Sequence, residues 1–167
     1  MDADWLIILR HKLANRATRG LHIHLFGAPT DRKRLEGLGE SILIEFEGAR
    51  CINHAGNSSV LESLLLITGL EELLCVDSAL LHFARLAGVR TTSLWGPTNP
   101  VSFIRPQSSV DHVIVYEQQP CSPCVHMLAE LPCKGNNFCM HKAALAVGPC
   151  IRDSVATSQL VPSGDAS

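Results

Sequence analysis

Neither sign of charge dominates this sequence. Fourteen Lys and Arg against sixteen Asp and Glu leave a formal net charge of -2, which gives no long-range attraction to nucleic acid or to an anionic membrane. Long apolar runs are missing as well: the longest, Leu64 to Ile67, is far too short to span a bilayer. The opening Met1-Asp2-Ala3-Asp4 is acidic where a secretory leader is basic, so the expected location is the cytoplasm. Seven cysteines, an odd number without such a leader, argue against an extracellular disulfide framework. No internal repeat is visible.

What is present suits one folded domain. With 167 residues, 46% of them apolar, the chain has enough apolar side chains to offset the entropy of ordering. The domain is expected over residues 1–150, with 151–167 a C-terminal segment that frays at Pro162 to Ser167. Strand-like and helix-like segments alternate from about residue 3 to residue 116, the pattern of an α/β sheet covered by helices on both faces.

Trp5, Leu6, Ile8, Leu9 and Leu13 recur at helical spacing, and Leu21 to Phe26 alternates with a period of two before Gly27-Ala28-Pro29-Thr30 breaks it. Asp31 to about Glu40 is helix-compatible, while Ser41 to Asn53 reads either way apart from a short strand near Cys51-Ile52-Asn53. Ser58 or Ser59 can cap a helix that runs through Leu61, Leu64, Leu65 and Thr68 to Gly69. Leu73 to Val76 suits a buried strand, Ala79 to Ala87 a helix, Arg90 to Trp95 a strand stopped by Gly96-Pro97-Thr98-Asn99-Pro100, and His112 to Tyr116 a last strand. After Met140 the pattern weakens.

The segment that carries chemistry is Val76-Asp77-Ser78-Ala79-Leu80-Leu81-His82. In open parallel sheets ligands gather where strands end and helices begin. The first N–H groups of the helix after Ser78, together with its positive end, form a site for a phosphate. Ser78 and His82 are four apart and share a helix face, so both can reach one anion. Asp77 can accept hydrogen bonds from sugar hydroxyls. The simpler reading makes Asp77 or Ser78 a cap and His82 a partly buried core histidine. The Gly96 to Pro100 loop opens at the same edge of the sheet, and two such loops can wall one pocket.

Cys121, Cys124, Cys133 and Cys139 are spaced C-x2-C-x8-C-x5-C, which fits a structural zinc site, with His126 and His141 as alternative ligands. The other reading is a loop of reduced thiols or an occasional disulfide. Cys51 and Cys75 lie in apolar stretches and are expected to pack in the core.

Taken as a set, Gly56-Asn57-Ser58-Ser59-Val60-Leu61-Glu62, Val76-Asp77-Ser78 with His82, Leu94-Trp95-Gly96-Pro97-Thr98-Asn99-Pro100 and Pro120-Cys121-Ser122-Pro123-Cys124 resemble consecutive C-terminal motifs of glycosyltransferase family 9. That family includes the ADP-heptose:lipopolysaccharide heptosyltransferases, and the resemblance runs from about Trp5 to Met140. It implies a Rossmann-like parallel sheet, the donor-binding C-terminal half of a GT-B enzyme, without the N-terminal half that holds the acceptor and the acidic catalytic base. By resemblance Asp77 contacts the donor sugar, Ser78 and the Ala79 N–H the diphosphate, and His82 the phosphate side of the pocket. Gly96 and Thr98 belong to its second wall. Asp31, in the loop from Gly27, matches a nucleotide-contacting acid, and Ser58 and Ser59 fall near the base and ribose.

The implied reaction is heptosyl transfer from ADP-heptose to a lipopolysaccharide core sugar, in the cytoplasm or peripherally at the inner face of the inner membrane. No catalytic residue is assigned within this chain. No cofactor is required, because backbone amides and a helix terminus can stabilise a leaving diphosphate. The rival reading is a noncatalytic nucleotide- or zinc-binding assembly module derived from such an enzyme.

Overall fold

A computed structural model describes residues 2–105, 111–125 and 127–147. His126, Cys150 and the segment expected to fray lie outside the described residues. The first helix, α1 (Asp2–Leu13), carries acids in its first turn and Arg10, His11 and Lys12 in its last, matching both ends of its dipole. It is followed by β1 (His22–Leu25), a short 3-10 turn and α2 (Arg32–Glu45). The stretch that reads both ways divides: residues 41–45 continue α2, because Leu35, Leu38 and Ile42 form one buried stripe, and β2 (Arg50–Asn53) follows.

Next comes α3 (Val60–Thr68). Its start is a full capping box, in which Ser59 Oγ accepts from the Glu62 N–H and the Glu62 carboxylate accepts from the Ser59 N–H. Then β3 (Glu72–Val76), α4 (Ala79–Leu86), β4 (Arg90–Trp95), the single-turn α5 (Pro100–Phe103) and β5 (His112–Tyr116) complete the alternation. A final helix, α6 (Phe138–Ala146), lies where the sequence pattern weakens; its buried Cys139, Met140, Ala143 and Ala144 give it a packed face.

All strand pairs are parallel, as expected of an α/β sheet, but they form two ladders: β1-β2, and β3-β4-β5 with β4 central. Alternation along the strands separates two faces. Leu74, Val76, Val113, Leu94 and Val115 pack with Ile8 of α1 and the buried side of α6. On the other face Leu73, Cys75, Ile114, Tyr116 and Trp95 pack with Ile67 of α3 and with Leu81 and Ala84 of α4. A third cluster joins α2 to Ile23 and Leu25 of β1, with Leu13, Leu9 and Trp5 of α1. Trp5 touches both the first and the third cluster, so α1 lies across the join between the ladders. No helix of the described residues is long and apolar enough to cross a membrane.

Candidate functional site

β3 and β4 are neighbours in register, Val76 opposite Leu94, so the loops that follow them leave the sheet side by side. Asp77 is the first residue beyond β3 and Thr98 the third beyond β4. The two loops are tied directly: Thr98 Oγ1 donates to Asp77 Oδ2 at 2.8 Å. Sequence reasoning places both residues in one pocket but does not foresee this bond.

Ser78 is the N-cap residue of α4, with φ -159° and ψ 163°, yet its side chain makes no capping hydrogen bond. The capping role weighed for Ser78 is therefore not filled by its hydroxyl, and the N–H groups of Ala79 and Leu80 stand in the first turn, where a helix supplies no acceptor. His82 lies one turn on. Its Nε2 is 3.9 Å from Asp77 Oδ1, and its side chain is half-buried, 43% exposed, so it is reachable from solvent. Asp77 also sits near enough to the buried Cys75 to raise that thiol: burial, then the Asp77 charge, push it up to about 12. Cys75 is thus an inert part of the core, as expected, while Cys51 is only half-buried.

Gly96 has a packing reason for lacking a side chain. A Cβ there would lie 2.6 Å from Cys139 Sγ and 2.9 Å from Cys139 Cβ. The cysteine-bearing loop folds beneath this turn, with the Cys124 and Val125 N–H groups donating to the Pro97 carbonyl at 2.9 and 3.1 Å. Cys124 and Cys139 are buried, Cys121 and Cys133 half-buried, and all four are free thiols. Hydrogen bonds from the Asn137 and Gly135 backbone hold Cys133 below the usual thiol range. Among the described residues no group of three or more His, Cys, Asp or Glu could hold a metal ion. His141 is occupied otherwise, 2.6 Å from Asp4 Oδ1. A concavity of about 380 Å³ beside that pair is lined by Asp4, Gly135, Asn136, Asn137, Met140 and His141, and contains none of the expected donor-binding residues.

The other expected residues lie on the β1-β2 side. Asp31 Oδ2 accepts from the Ala28 N–H at 3.1 Å and Asp31 Oδ1 pairs with Arg34, so the carboxylate closes its own turn. Ser59 is taken up by its capping box, and Ser58 Oγ by Ser63 Oγ at 2.8 Å and the His54 carbonyl at 3.2 Å. A feature not foreseen stands at the ends of the same strands. His24 Nδ1 lies 2.9 Å from His54 Nε2, and the rings of His24, Phe26 and His54 are stacked within 17° of parallel. Burial, with His54 and His22 nearby, holds His24 below the usual imidazole range. The only sequence signal for this stack was the period of two that puts His24 and Phe26 on one face.

The family described as glycosyltransferase family 9 (heptosyltransferase) matches residues 5–134. Among solved structures the chain is similar to the ADP-heptose LPS heptosyltransferase II of E. coli, with 23% identity and a TM-score of 0.49. That match covers 67% of this chain and 32% of the other, so the chain spans about a third of that protein's length. No curated protein matches it.

Proposed function

Since the chain belongs to glycosyltransferase family 9, we propose that it is a donor-binding domain that holds a nucleoside-diphosphate sugar at the carboxyl ends of β3 and β4. The observation that carries this reading is the Thr98-Asp77 hydrogen bond, which closes two neighbouring loops around the start of α4, whose Ser78 makes no side-chain cap. The amides of Ala79 and Leu80 supply donors for the diphosphate, and the half-buried His82 supplies a third group one turn along. Asp77 keeps Oδ1 for a sugar hydroxyl while Oδ2 is held by Thr98. Gly96 lets the second loop lie flat on Cys139.

On the same reading the donor is ADP-heptose and the acceptor a lipopolysaccharide core sugar. Transfer needs a base and an acceptor held in line with the anomeric carbon, which a second domain provides. Val101 and Phe103 of α5, and Met127 and Leu128 of the cysteine-bearing loop, are 48–71% exposed, an apolar surface beside the pocket suited to such a domain.

Calorimetry with ADP, UDP and GDP sugars on the folded chain tests the pocket. Binding of an ADP sugar, weakened by His82→Ala more than binding of adenosine is, is the expected result. No binding at millimolar concentration would overturn the proposal, and equal losses for nucleoside and diphosphate would remove His82 from the phosphate site. The chain alone should transfer no heptose to a heptose-free lipopolysaccharide, and should gain turnover when a family-9 N-terminal domain is added.

A further inference from the structure

Imidazoles from both strands of the β1-β2 ladder stand on one of its faces. Side chains alternate along a strand, so His22, His24 and Phe26 share a face of β1. His24 lies opposite Ile52 of β2, and the His54 N–H donates to the Leu25 carbonyl at 2.9 Å, which carries the pairing one step past Asn53. Ile52 and His54 are two apart and so share that same face. Ile23, Leu25 and Cys51 turn the other way and pack with α2.

This register aims two ring nitrogens at each other. His24 Nδ1 and His54 Nε2 are 2.9 Å apart, and neither side chain has another hydrogen-bond partner among the described residues. One of the two nitrogens carries the hydrogen and the other a lone pair. Phe26 lies against the pair, its ring centroid 5.1 Å from that of His54 and 14° from parallel, so the stack fixes the ring planes. Both histidines are half-buried, within reach of water. Burial, with His54 and His22 nearby, keeps the His24 ring neutral at neutral pH, the form that binds a metal ion. The charged group of β2 on this face is the exposed Arg50, which lies opposite His22 rather than beside the pair. No carboxylate of the described residues pairs with either ring.

We propose that His24 and His54 chelate one divalent transition-metal ion, with water in its remaining positions. Imidazole nitrogens suit zinc, nickel and copper, whereas magnesium and calcium take oxygen ligands. At zinc-nitrogen lengths of about 2.0–2.1 Å and a tetrahedral angle, the two nitrogens stand about 3.3 Å apart, so the pair needs to open by only about 0.4 Å. Binding shifts one hydrogen within a single ring. The facing nitrogen that carried it gives a lone pair to the ion, and the ring keeps its hydrogen on the far nitrogen, so both rings stay neutral and no proton is released. Two protein ligands accord with the lack of any group of three His, Cys, Asp or Glu suited to a metal among the described residues. The ion would staple β1 to the turn that leads from His54 into α3, in the ladder whose strands contain no buried residue. Asp77, His82 and Thr98 take no part, and the inference is independent of any sugar nucleotide.

The test is titration of the metal-free chain with Zn2+ at neutral pH, followed by nitrogen NMR of the histidine rings. The signals of His24 Nδ1 and His54 Nε2 should move together to the metal-bound position, saturating at one ion per chain. Affinity should fall by about tenfold or more in His24→Gln and in His54→Gln. Cys121→Ser, which breaks the Cys-x-x-Cys pair, should leave it unchanged. If a histidine variant does not fold, the ring signals of the unaltered chain decide. Ring nitrogens that stay in place at millimolar Zn2+ overturn the proposal. So does zinc held by thiols, seen as affinity lost in Cys121→Ser and kept in the histidine variants, and so does an equal response to Mg2+.

Discussion

The β3-β4-β5 ladder and the β1-β2 ladder are made of short parallel strands, yet only the first contains a core strand. Thr91 to Trp95 of β4 are all buried, while no residue of β1 or β2 is. The cause is neighbours: β4 has a strand on each edge and an apolar cluster on each face, whereas β1 and β2 lean mainly on the cluster they share with α1 and α2. The candidate site residues divide along the same line. Asp77, His82 and Thr98 rise from the well-packed half, where positions are held precisely, and Asp31, Ser58 and the His24-His54 stack from the half with less support.

The largest expected difference is between core truncations. Trp95 is fully buried and its Nε1 donates to Ser93 Oγ at 2.9 Å, so Trp95→Ala should cost about 3–5 kcal/mol in denaturant unfolding. Leu25→Ala, at a half-buried site in β1, should cost about 1–2 kcal/mol. Equal costs would erase the contrast between the ladders. Next is Gly96→Ala, whose methyl group would meet Cys139 Sγ at 2.6 Å; overpacking of this kind costs about 1–3 kcal/mol. Adding Cys139→Ala should restore only part, since Cys139 Cβ would remain 2.9 Å away, and full restoration would show that the turn can shift.

A smaller effect separates the two groups of site residues. Thr98→Ala should weaken binding of an ADP sugar by about 1 kcal/mol, roughly fivefold, by freeing Asp77, with Ser58→Ala costing less because that hydroxyl is engaged by Ser63. Calorimetry under identical salt decides the order. The smallest effect is on pH dependence. His24 and His112 are both held below the usual imidazole range, each chiefly by burial. For a histidine this means that the unfolded chain takes up protons first, so their contribution to stability is whole above about pH 6.5 and falls as the pH drops through that value. His24→Gln should flatten the loss near pH 6 measured at β1 amides while leaving β5, which carries His112, acid-sensitive.

Much of the fold was legible because hydrophobic period and turn residues agree locally. β4 and β5 fall on the expected residues, and Ser59, one of two cap candidates, caps α3. The extent of α2 was not, since the apolar stripe through Ile42 also suits a strand until Leu35 and Leu38 are seen packed beside it. α6 was missed because its exposed Phe138 and Leu145 blur the helical period. In the site, local order signals that Asp77, Ser78 and His82 share one corner, but bonds between distant segments, such as Thr98 to Asp77 or His24 to His54, have no local signature. The cysteine spacing illustrates the converse: it fits a metal knuckle, and in the fold Cys124 and Cys139 are packed around the Gly96 turn.

The contact between Asp4 and His141 joins residues separated by 137 positions. During synthesis at about 5–20 residues per second, the first helix waits on the order of ten seconds for that partner to be made. It can dock on α2 and β1 early, but the side of Ile8 that meets Met140, Ala143 and Ala144 stays open until α6 leaves the ribosome. α1, made well before α6, is thus among the last elements to be sealed, and such long-range closure makes folding slower than the short strands and tight turns alone suggest.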